Sequence, residues 1–418
     1  MPLLIMSGYA ESSFSTAFLD GLKPVVFIGR LLGALSRTDV LKKVETKRKI
    51  TVPTVYSGCL VVFFFINAIL LIRAHFLSFK SKVTTSEKLG EISLPGYACT
   101  MFFVYAYLLF GTKRFRNVVQ NFLEANQRTQ FATQFPPRFP RFCWAACVIV
   151  LLMGVTENVM FDVQNLKKAD KRKANSTLEL YYVHNFYHWS DLIPYHPILT
   201  LIYVIIVKFG TWGWVYGDVI AIVLTRAITE KFRTMNEEIS ELMSPTALAI
   251  KTKIAEGRIL TLTWDAVRDE FVMLTDLVSQ IQNFISPLIL ACYGVNMYII
   301  MINLFYWIAP YSAFSLEQSF YVYFAFFQFF FRVTTVTYYA AEVHHVSHSI
   351  IRTIQRCPNS LYSLSLERLE RTLICNPTGI CLFGTFMITR RFFISIISFL
   401  FTTEIVLLQT TNAGRGNK

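Results

Sequence analysis

Seven predominantly apolar stretches, separated by polar or charged residues, dominate the pattern of the chain. They cover approximately residues 53–72, 92–111, 141–161, 198–224, 285–309, 319–341 and 391–411. An α-helix needs about 20 apolar residues to cross the hydrocarbon core of a bilayer, and each stretch is close to that length. The pattern therefore predicts an all-α membrane protein with seven transmembrane helices.

A second apolar pattern leads into the fifth stretch in alternating steps of four and three, through Leu260, Trp264, Val267, Phe271, Leu274, Val278 and Ile281. This spacing places the side chains on one face of a helix. Residues 225–243 extend the fourth stretch in the same way, and residues 364–369 repeat the pattern more weakly. We expect long cytoplasmic helix extensions that pack together. One possibility is that they pack only within one chain. The other, which heptad repeats near a membrane favour, is that they also form contacts between subunits.

These patterns divide the chain into six regions, which alternate between the cytoplasm and the membrane. We expect a cytoplasmic N-terminal region (1–50), transmembrane helices 1–4 (51–225), cytoplasmic helical extensions that act as an anchor (226–284), transmembrane helices 5–6 (285–341), a cytoplasmic helical linker (342–390), and a last helix with a short extracellular tail (391–418).

The orientation in the membrane follows from the positions of Lys and Arg, which concentrate in cytoplasmic loops. Basic residues cluster before the first stretch and in loops 112–140 and 342–390, whereas the loop "PYSAFSLEQ" has none. This predicts a cytoplasmic N-terminus and an extracellular C-terminus. Loop 162–197 disagrees, because it contains "KKADKRK", but it also carries an N-glycosylation sequon at Asn175, which needs exposure outside the cytoplasm.

Composition narrows the function classes. The chain is 54% hydrophobic with a formal charge of +13, and we assign the charge to cytoplasmic loops rather than to a nucleic-acid surface. The eight cysteines are scattered and form no disulfide or zinc spacing. His344, His345 and His348 fall at the cytoplasmic end of the sixth stretch, where solvation or helix packing is the expected role. We expect no enzyme, cofactor or metal.

The last apolar stretch carries a narrow polar stripe. Ser395, Thr402 and Gln409 are spaced by seven residues and share one helix face, with Ser398 and Ile405 beside them. Polar residues in a membrane helix usually face a bundle interior or water, so we expect this face to line a pore or gate. The alternatives are hydroxyl groups bonded to their own backbone and, for Gln409, a position at the membrane interface.

Glu404 lies on another side of that helix, about 200° from Thr402 at 100° per residue. We expect a buried structural or coupling role rather than ion selection. A buried carboxylate needs a partner or a shifted pKa, and the candidate partners are Arg332 and Lys208.

The C-terminal sequence also resembles a known family. In the insect gustatory receptors, Thr-Tyr, five apolar positions and Gln-Phe end the last span, and Thr402, residues 404–408 and Gln409 match this frame, with Thr403 and Thr410 as departures. The stretches 211–236, 264–300 and 390–409 resemble the sugar-receptor branch. This resemblance covers most of the chain, most clearly from the third span onward.

The resemblance implies a ligand-gated, non-selective cation channel rather than a G-protein-coupled receptor. A homotetramer, or a heteromer with related subunits, would pass monovalent and divalent cations through a pore lined by the last helix. A small-molecule sugar would bind in a pocket open to the outside, in the plasma membrane of a sensory neuron. The alternatives are a G-protein-coupled seven-helix chemoreceptor, a gustatory-type channel for a bitter or other tastant, and a sugar transporter, although the internal repeats of many transporters are not visible.

A sugar site needs aromatic faces and several hydrogen-bonding groups in a concave, mostly apolar pocket. Aromatic residues at span ends can instead belong to the interfacial belt, so these candidates compete with that structural role. The outward halves of the spans supply Glu157, Asn158, Asp162, His188, Trp189, Asp191, Trp212, Asn303, Tyr306, Trp307, Gln318, Tyr321, Tyr323 and Gln328.

Overall fold

The computed structural model describes residues 3–37, 40–41, 51–78, 85–129, 135–168, 176–242, 252–255, 258–261, 264–308, 316–356, 362 and 364–413. Within these residues, the helices are α1 (Leu3–Leu31), α2 (Val52–Ser78), α3 (Thr85–Arg128), α4 (Phe139–Lys168), α5 (Thr177–Asn185), α6 (Tyr187–Ser190), α7 (Pro197–Leu242), α8 (Trp264–Ile308), α9 (Leu316–Ser347), α10 (Ile350–Gln355), α11 (Leu364–Cys375) and α12 (Arg390–Ala413). Two short antiparallel hairpins pair β1 (Thr252–Ala255) with β2 (Arg258–Thr261) and β3 (Cys381–Leu382) with β4 (Phe386–Met387).

Helix α7 is the centre of the bundle. It packs against α3, α4, α8 and α9, and almost every side chain from Trp214 to Phe232 is buried. Helix α2 packs on α3 at one edge, and α12 packs on α8 and α9 at another. The protein therefore has one continuous helical core, and α12 is attached to its side.

Five helices of the described residues are long and apolar enough to cross a membrane: Val52–Leu77, Ile92–Arg128, Phe139–Lys167, Pro197–Glu241 and Trp264–Phe305. They contain the first four predicted stretches and most of the fifth, which supports a multi-pass membrane protein. Helices α9 and α12 cover the sixth and seventh predicted stretches. Seven spans, and their orientation, remain predictions.

The long extensions predicted after the fourth stretch and before the fifth are present as continuations of the same helices. Helix α7 runs to Leu242, and α8 begins at Trp264, well before the predicted fifth span. The stripe from Trp264 to Ile281 is buried in the core of the single chain. The start of the stripe was wrong, because Leu260 lies in β2. Since the stripe is filled by intramolecular packing, subunit contacts would have to use other residues.

Sequence patterns did not predict α1, the helix that fills the N-terminal region. Phe18 of α1 stacks on Phe122 of α3 with ring centroids 4.4 Å apart, and it also contacts the rings of Phe135 and Phe139. The apolar series Phe18, Leu22, Val25 and Val26 has helical spacing and is fully buried. That series was the available signal.

The β3–β4 hairpin was also not predicted, and it fixes the chain just before α12. Its turn contains Phe383 and Gly384 in left-handed backbone conformations, with φ angles of 49° and 70°. The backbone N–H of Cys381 donates to Gln282 Oε1 at 3.0 Å, and that of Phe383 donates to Ser286 Oγ at 3.0 Å. The hairpin is therefore attached to α8.

Candidate functional site

A cavity of about 1340 Å³ opens among α2, α3, α4, α7, α8 and α9 beneath the short helices α5 and α6. Helix α4 contributes Glu157, Asn158, Phe161, Asp162 and Asn165. These residues are spaced by one, three or four positions, so one face of the helix points into the cavity. The lining combines aliphatic, aromatic, amide and charged side chains, so the cavity can bind a polar organic molecule.

An ion pair forms one wall of the cavity. Lys208 Nζ of α7 lies 2.7 Å from both carboxylate oxygens of Asp162 and 3.4 Å from Asn158 Oδ1. The Tyr181 hydroxyl of α5 donates to Asp162 Oδ1 at 2.9 Å. Burial and the Asp162 carboxylate both raise the pKa of Tyr181 above its ordinary value, so this tyrosine stays a donor.

A second acid, Glu157, lies five residues before Asp162 on α4. Glu157 Oε1 accepts a hydrogen bond from the Tyr321 hydroxyl of α9 at 3.3 Å. Tyr97 of α3 also lines this part of the cavity, and it packs edge-on against Trp214 with ring centroids 5.0 Å apart. The cavity floor is therefore in contact with the buried core of α7.

One amide oxygen holds α6, which forms the roof of the cavity together with α5. Asn67 Oδ1 of α2 lies 3.0 Å from His188 Nε2, and it accepts hydrogen bonds from Trp189 Nε1 at 3.0 Å and the Tyr203 hydroxyl at 2.5 Å. Phe63 stacks on the Trp189 ring at 6.0 Å. Helix α6 is thus fastened to α2 and α7.

His188 is held neutral in this roof. Burial lowers its pKa from 6.5 to about 4, because the charged imidazolium would lose its hydration. Within the described residues, Nδ1 of His188 has no hydrogen-bond partner. Since Nε2 faces an acceptor oxygen, the tautomer with a proton on Nε2 fits this contact.

Helix α12 presents a polar stripe away from the bundle. Ser395, Ser398, Thr402 and Gln409 are exposed and lie within about 60° of one another around the helix. Apolar side chains flank the stripe on both sides and are exposed as well: Ile394, Phe399, Phe401, Ile405 and Val406. The opposite face, with Ile396, Leu400 and Glu404, is buried against α8 and α9.

The profile of the family described as "Trehalose receptor" matches residues 10–418, nearly the whole chain. The chain belongs to the trehalose receptor family, within the insect gustatory receptors. "Gustatory receptor for sugar taste 64f" of Drosophila melanogaster is 21% identical over 205 residues, which span 48% of this chain and only 40% of that protein. "Gustatory receptor for sugar taste 64a" of the same organism is 21% identical over 375 residues, 84% of this chain and 76% of the relative.

The fold of this family member is also similar to a solved structure. The insect olfactory receptor OR5 from Machilis hrabei superimposes with a TM-score of 0.67 over 93% of this chain and 97% of that one, at 13% identity. This similarity establishes the fold alone.

Six of the residues predicted for ligand binding line the cavity of this trehalose receptor family member: Glu157, Asn158, Asp162, His188, Asn303 and Tyr321. Trp189 lies just outside it as part of the roof. The side chains of Tyr306, Trp307 and Gln318, and the sequon at Asn175, lie outside the described residues. The ligand contacts themselves remain predictions.

Four other predicted residues point elsewhere. Asp191 is exposed at the end of α6, Tyr323 lines a smaller, separate cavity, and Trp212 and Gln328 pack into the bundle. Trp212 directly follows the lining residue Thr211, and Gln328 directly precedes the lining residue Phe329. A shift of one residue turns a side chain by about 100°, which moves it out of the cavity.

Lys208, Asn67 and Tyr97 are lining residues that the sequence interpretation did not place in the site. Lys208 and Asn67 each interrupt a long apolar run, and a polar residue within a span is itself a functional signal. Tyr97 gives no comparable signal.

Both candidate partners of Glu404 were wrong. Arg332 is paired with Asp218, and Lys208 is paired with Asp162. Glu404 is 2% exposed, and within the described residues neither carboxylate oxygen has a hydrogen-bond partner. The predicted burial of this side chain is confirmed, but not the basic partner.

Two histidines near the end of α9, His344 and His348, make packing contacts. His344 Nδ1 lies 3.1 Å from the Thr378 carbonyl oxygen, and the His344 and His348 rings are 4.3 Å apart and perpendicular. Among the described residues, no group of three or more potential ligands could hold a metal ion.

Proposed function

We propose that this chain is a subunit of a sugar-gated, non-selective cation channel in the plasma membrane of a sensory neuron. The cavity beneath α5 and α6 opens to the outside and binds the sugar. Helix α12 from each subunit of a homotetramer, or of a heteromer with related subunits, lines a shared pore. The helix extensions within residues 226–284 and the linker 342–390 form a cytoplasmic anchor, and Asn175 lies outside.

The cavity and the family together support a sugar ligand. The cavity volume of about 1340 Å³ exceeds the roughly 300–1,000 Å³ of typical small-molecule pockets, so the cavity has room for a disaccharide with bridging water. Asp162, Lys208, Asn158 and Glu157 offer hydroxyl-binding groups, and Tyr97 offers an aromatic face.

The exposed arc of α12 is the observation that carries the channel proposal. A polar stripe with apolar flanks fits a helix that faces water at its centre and neighbouring copies at its sides. A lipid-facing helix would not place Ser395, Ser398, Thr402 and Gln409 at the centre of its exposed arc. The Thr402 hydroxyl donates to the Ser398 carbonyl at 2.8 Å, which satisfies it without removing its polarity from the surface.

Helices α8 and α9 provide the link between the two sites. Both line the cavity, and both contact the first turn of α12, through Tyr293 on Phe392 at 6.3 Å and Phe330 on Phe393 at 6.2 Å. Sugar would open the pore by binding the open arrangement more tightly than the closed one.

Expression of this chain alone, with electrical recording against a sugar panel that includes trehalose, tests the proposal. We expect sugar-evoked cation current without added G protein. Currents evoked only by bitter compounds would support a channel but would contradict a sugar as its ligand. Saturable sugar uptake without channel current, or a terminal tag showing the N-terminus outside, would reject the channel subunit.

The ionic wall gives the first prediction. We expect Asp162→Asn to raise the half-maximal sugar concentration at least about tenfold, a loss of about 1.4 kcal/mol, because an amide cannot hold Lys208 with two charged oxygens or accept sugar hydroxyls as strongly. The control is Asp191→Asn, at an exposed acid outside the cavity, which we expect to change the value less than twofold. Equal shifts in both variants would contradict the assigned wall.

The roof gives a prediction about external pH. His188 has a folded-state pKa near 4, below its ordinary 6.5, so an opened roof binds protons more readily than the closed one. The closed roof is therefore fully stable above about pH 6.5 and loses stability as pH falls toward 4. Between pH 6.5 and 5.5 the loss is roughly 1 kcal/mol.

We expect sugar currents in excised outside-out patches to weaken over that window and to recover on return to neutral pH. His188→Gln keeps an N–H donor for Asn67 but cannot titrate, so its response should be less sensitive to pH. An unchanged pH profile in this variant would exclude His188 as the cause.

A further inference from the structure

A buried acid connects the first residue of α12 to two cavity-lining helices. Glu342, near the C-terminal end of α9, accepts a hydrogen bond at Oε1 from Arg233 Nη2 of α7 at 3.3 Å and one at Oε2 from Arg390 Nη2 at 2.8 Å. Its side chain is 9% exposed, whereas that of Arg390 is 56% exposed. One carboxylate thus joins α7, α9 and α12.

The two arginines depend on this acid to different degrees. Arg233 also pairs with Glu230 at 2.7 Å, and Glu230 pairs in turn with Arg226. In the part of the chain that the structure describes, Glu342 is the acid that pairs with Arg390. Removal of the Glu342 charge would therefore leave Arg233 with an ionic partner and Arg390 without one.

The contacts around this junction hold the chain on both sides of Arg390. The segment before it is held by hydrogen bonds of the Thr378 carbonyl with Ser347 and His344, both at 3.1 Å, and by the attachment of the β3–β4 hairpin to α8. Beyond it, α12 is held by the aromatic contacts of Phe392 and Phe393. The Glu342–Arg390 pair lies between these two sets of contacts.

We propose that Glu342 is a positioning residue that transmits movement of α7 and α9 to the start of α12 through Arg390. This inference rests on the proposed function, in which sugar binds in the cavity and α12 lines the pore. A carboxylate suits this role because both of its oxygens can hold a guanidinium group at the same time. When the cavity-lining helices shift relative to each other, the shared acid moves Arg390 with them.

A double-mutant cycle tests the pair, with trehalose as the probe on cells that express the full chain. We expect Glu342→Gln and Arg390→Gln each to shift the half-maximal concentration about threefold or more, in the same direction. The double variant should match Glu342→Gln, because that substitution already removes the ion pair that Arg390→Gln removes. The adjacent Arg391→Gln is the matched control and should shift it less than twofold. Additive shifts, or an equal shift in the control, would overturn the assignment.

Hydrogen exchange of the purified full-length chain tests the same contact without any current. We expect faster exchange over residues 388–398 in Glu342→Gln than in the unsubstituted protein, with no change in Arg391→Gln. A chain that reaches the cell surface but carries no sugar-evoked current would refute the proposed function, and exchange would still decide the role of Glu342. Unchanged exchange in Glu342→Gln would refute that role.

Discussion

Replacement of Asp218 by alanine is expected to remove most of the folded protein from the cell surface. Arg332 Nε and Nη2 donate to Asp218 Oδ2 at 2.8 and 2.6 Å, and both side chains are 1% exposed. Removal of one partner leaves a buried charge without compensation, at a cost of about 3–5 kcal/mol. That is a large share of the stability of a typical folded domain.

The surroundings of the pair explain why its loss should also affect the cavity. The Arg332 guanidinium lies 4.4 Å from the centroid of the Trp214 ring and 5.7 Å from that of Phe329. Phe329 and Tyr97, which packs on Trp214, both line the cavity. The pair therefore supports the cavity floor as well as the contact between α7 and α9.

The measurement is the surface-labelled fraction together with the melting midpoint of the solubilised protein. The matched control is Asp269→Ala, which breaks the exposed pair with Arg268 at 2.9 Å and should cost less than about 1 kcal/mol. The double variant Asp218→Leu, Arg332→Met should recover part of the lost stability, because apolar side chains of similar volume can replace a buried pair. Normal surface expression of Asp218→Ala would show that the pair does not stabilise the fold.

The sequence was sufficient to predict the features that depend on local periodicity, such as which face of a helix is buried. The stripe from Trp264 to Ile281 is buried because it repeats at the spacing of one helix face, and this spacing can be read without knowledge of the partner helices. The separation of Thr402 from Glu404 around α12 is local in the same sense. The structure places the first on the exposed face and the second on the buried face.

The sequence could not predict which polar groups meet. Asp218 and Arg332 are 114 positions apart, and Asn67 and His188 are 121 apart, so their contact depends on how the whole bundle packs. Arg332 was a plausible partner for Glu404 by charge alone, but the bundle places it beside Asp218. The β3–β4 hairpin was missed for a related reason, because two-residue strands have no detectable period.

A lysine at Thr402 is expected to abolish most of the cation current without preventing assembly. Thr402 lies at the centre of the exposed stripe, so four copies would place four positive charges around the proposed pore. One unit charge about 5 Å from a permeant ion in water repels it by about 0.8 kcal/mol, and four give about 3 kcal/mol before screening by salt. We expect at least about tenfold less current in Thr402→Lys, little change in the uncharged Thr402→Gln, and no loss of cation current in Thr402→Glu.

A cysteine at the same position separates the pore from a structural effect of the lysine. We expect a cationic thiol reagent applied with sugar to block Thr402→Cys within the recording, because this face would be in water. Thr403→Cys is the matched control. Thr403 also bonds its hydroxyl to a backbone carbonyl at 2.8 Å, but it lies about 100° around the helix, toward the packed face. Block of both variants alike would show only general access to α12, and block of Thr403→Cys alone would place a different face of α12 toward the pore.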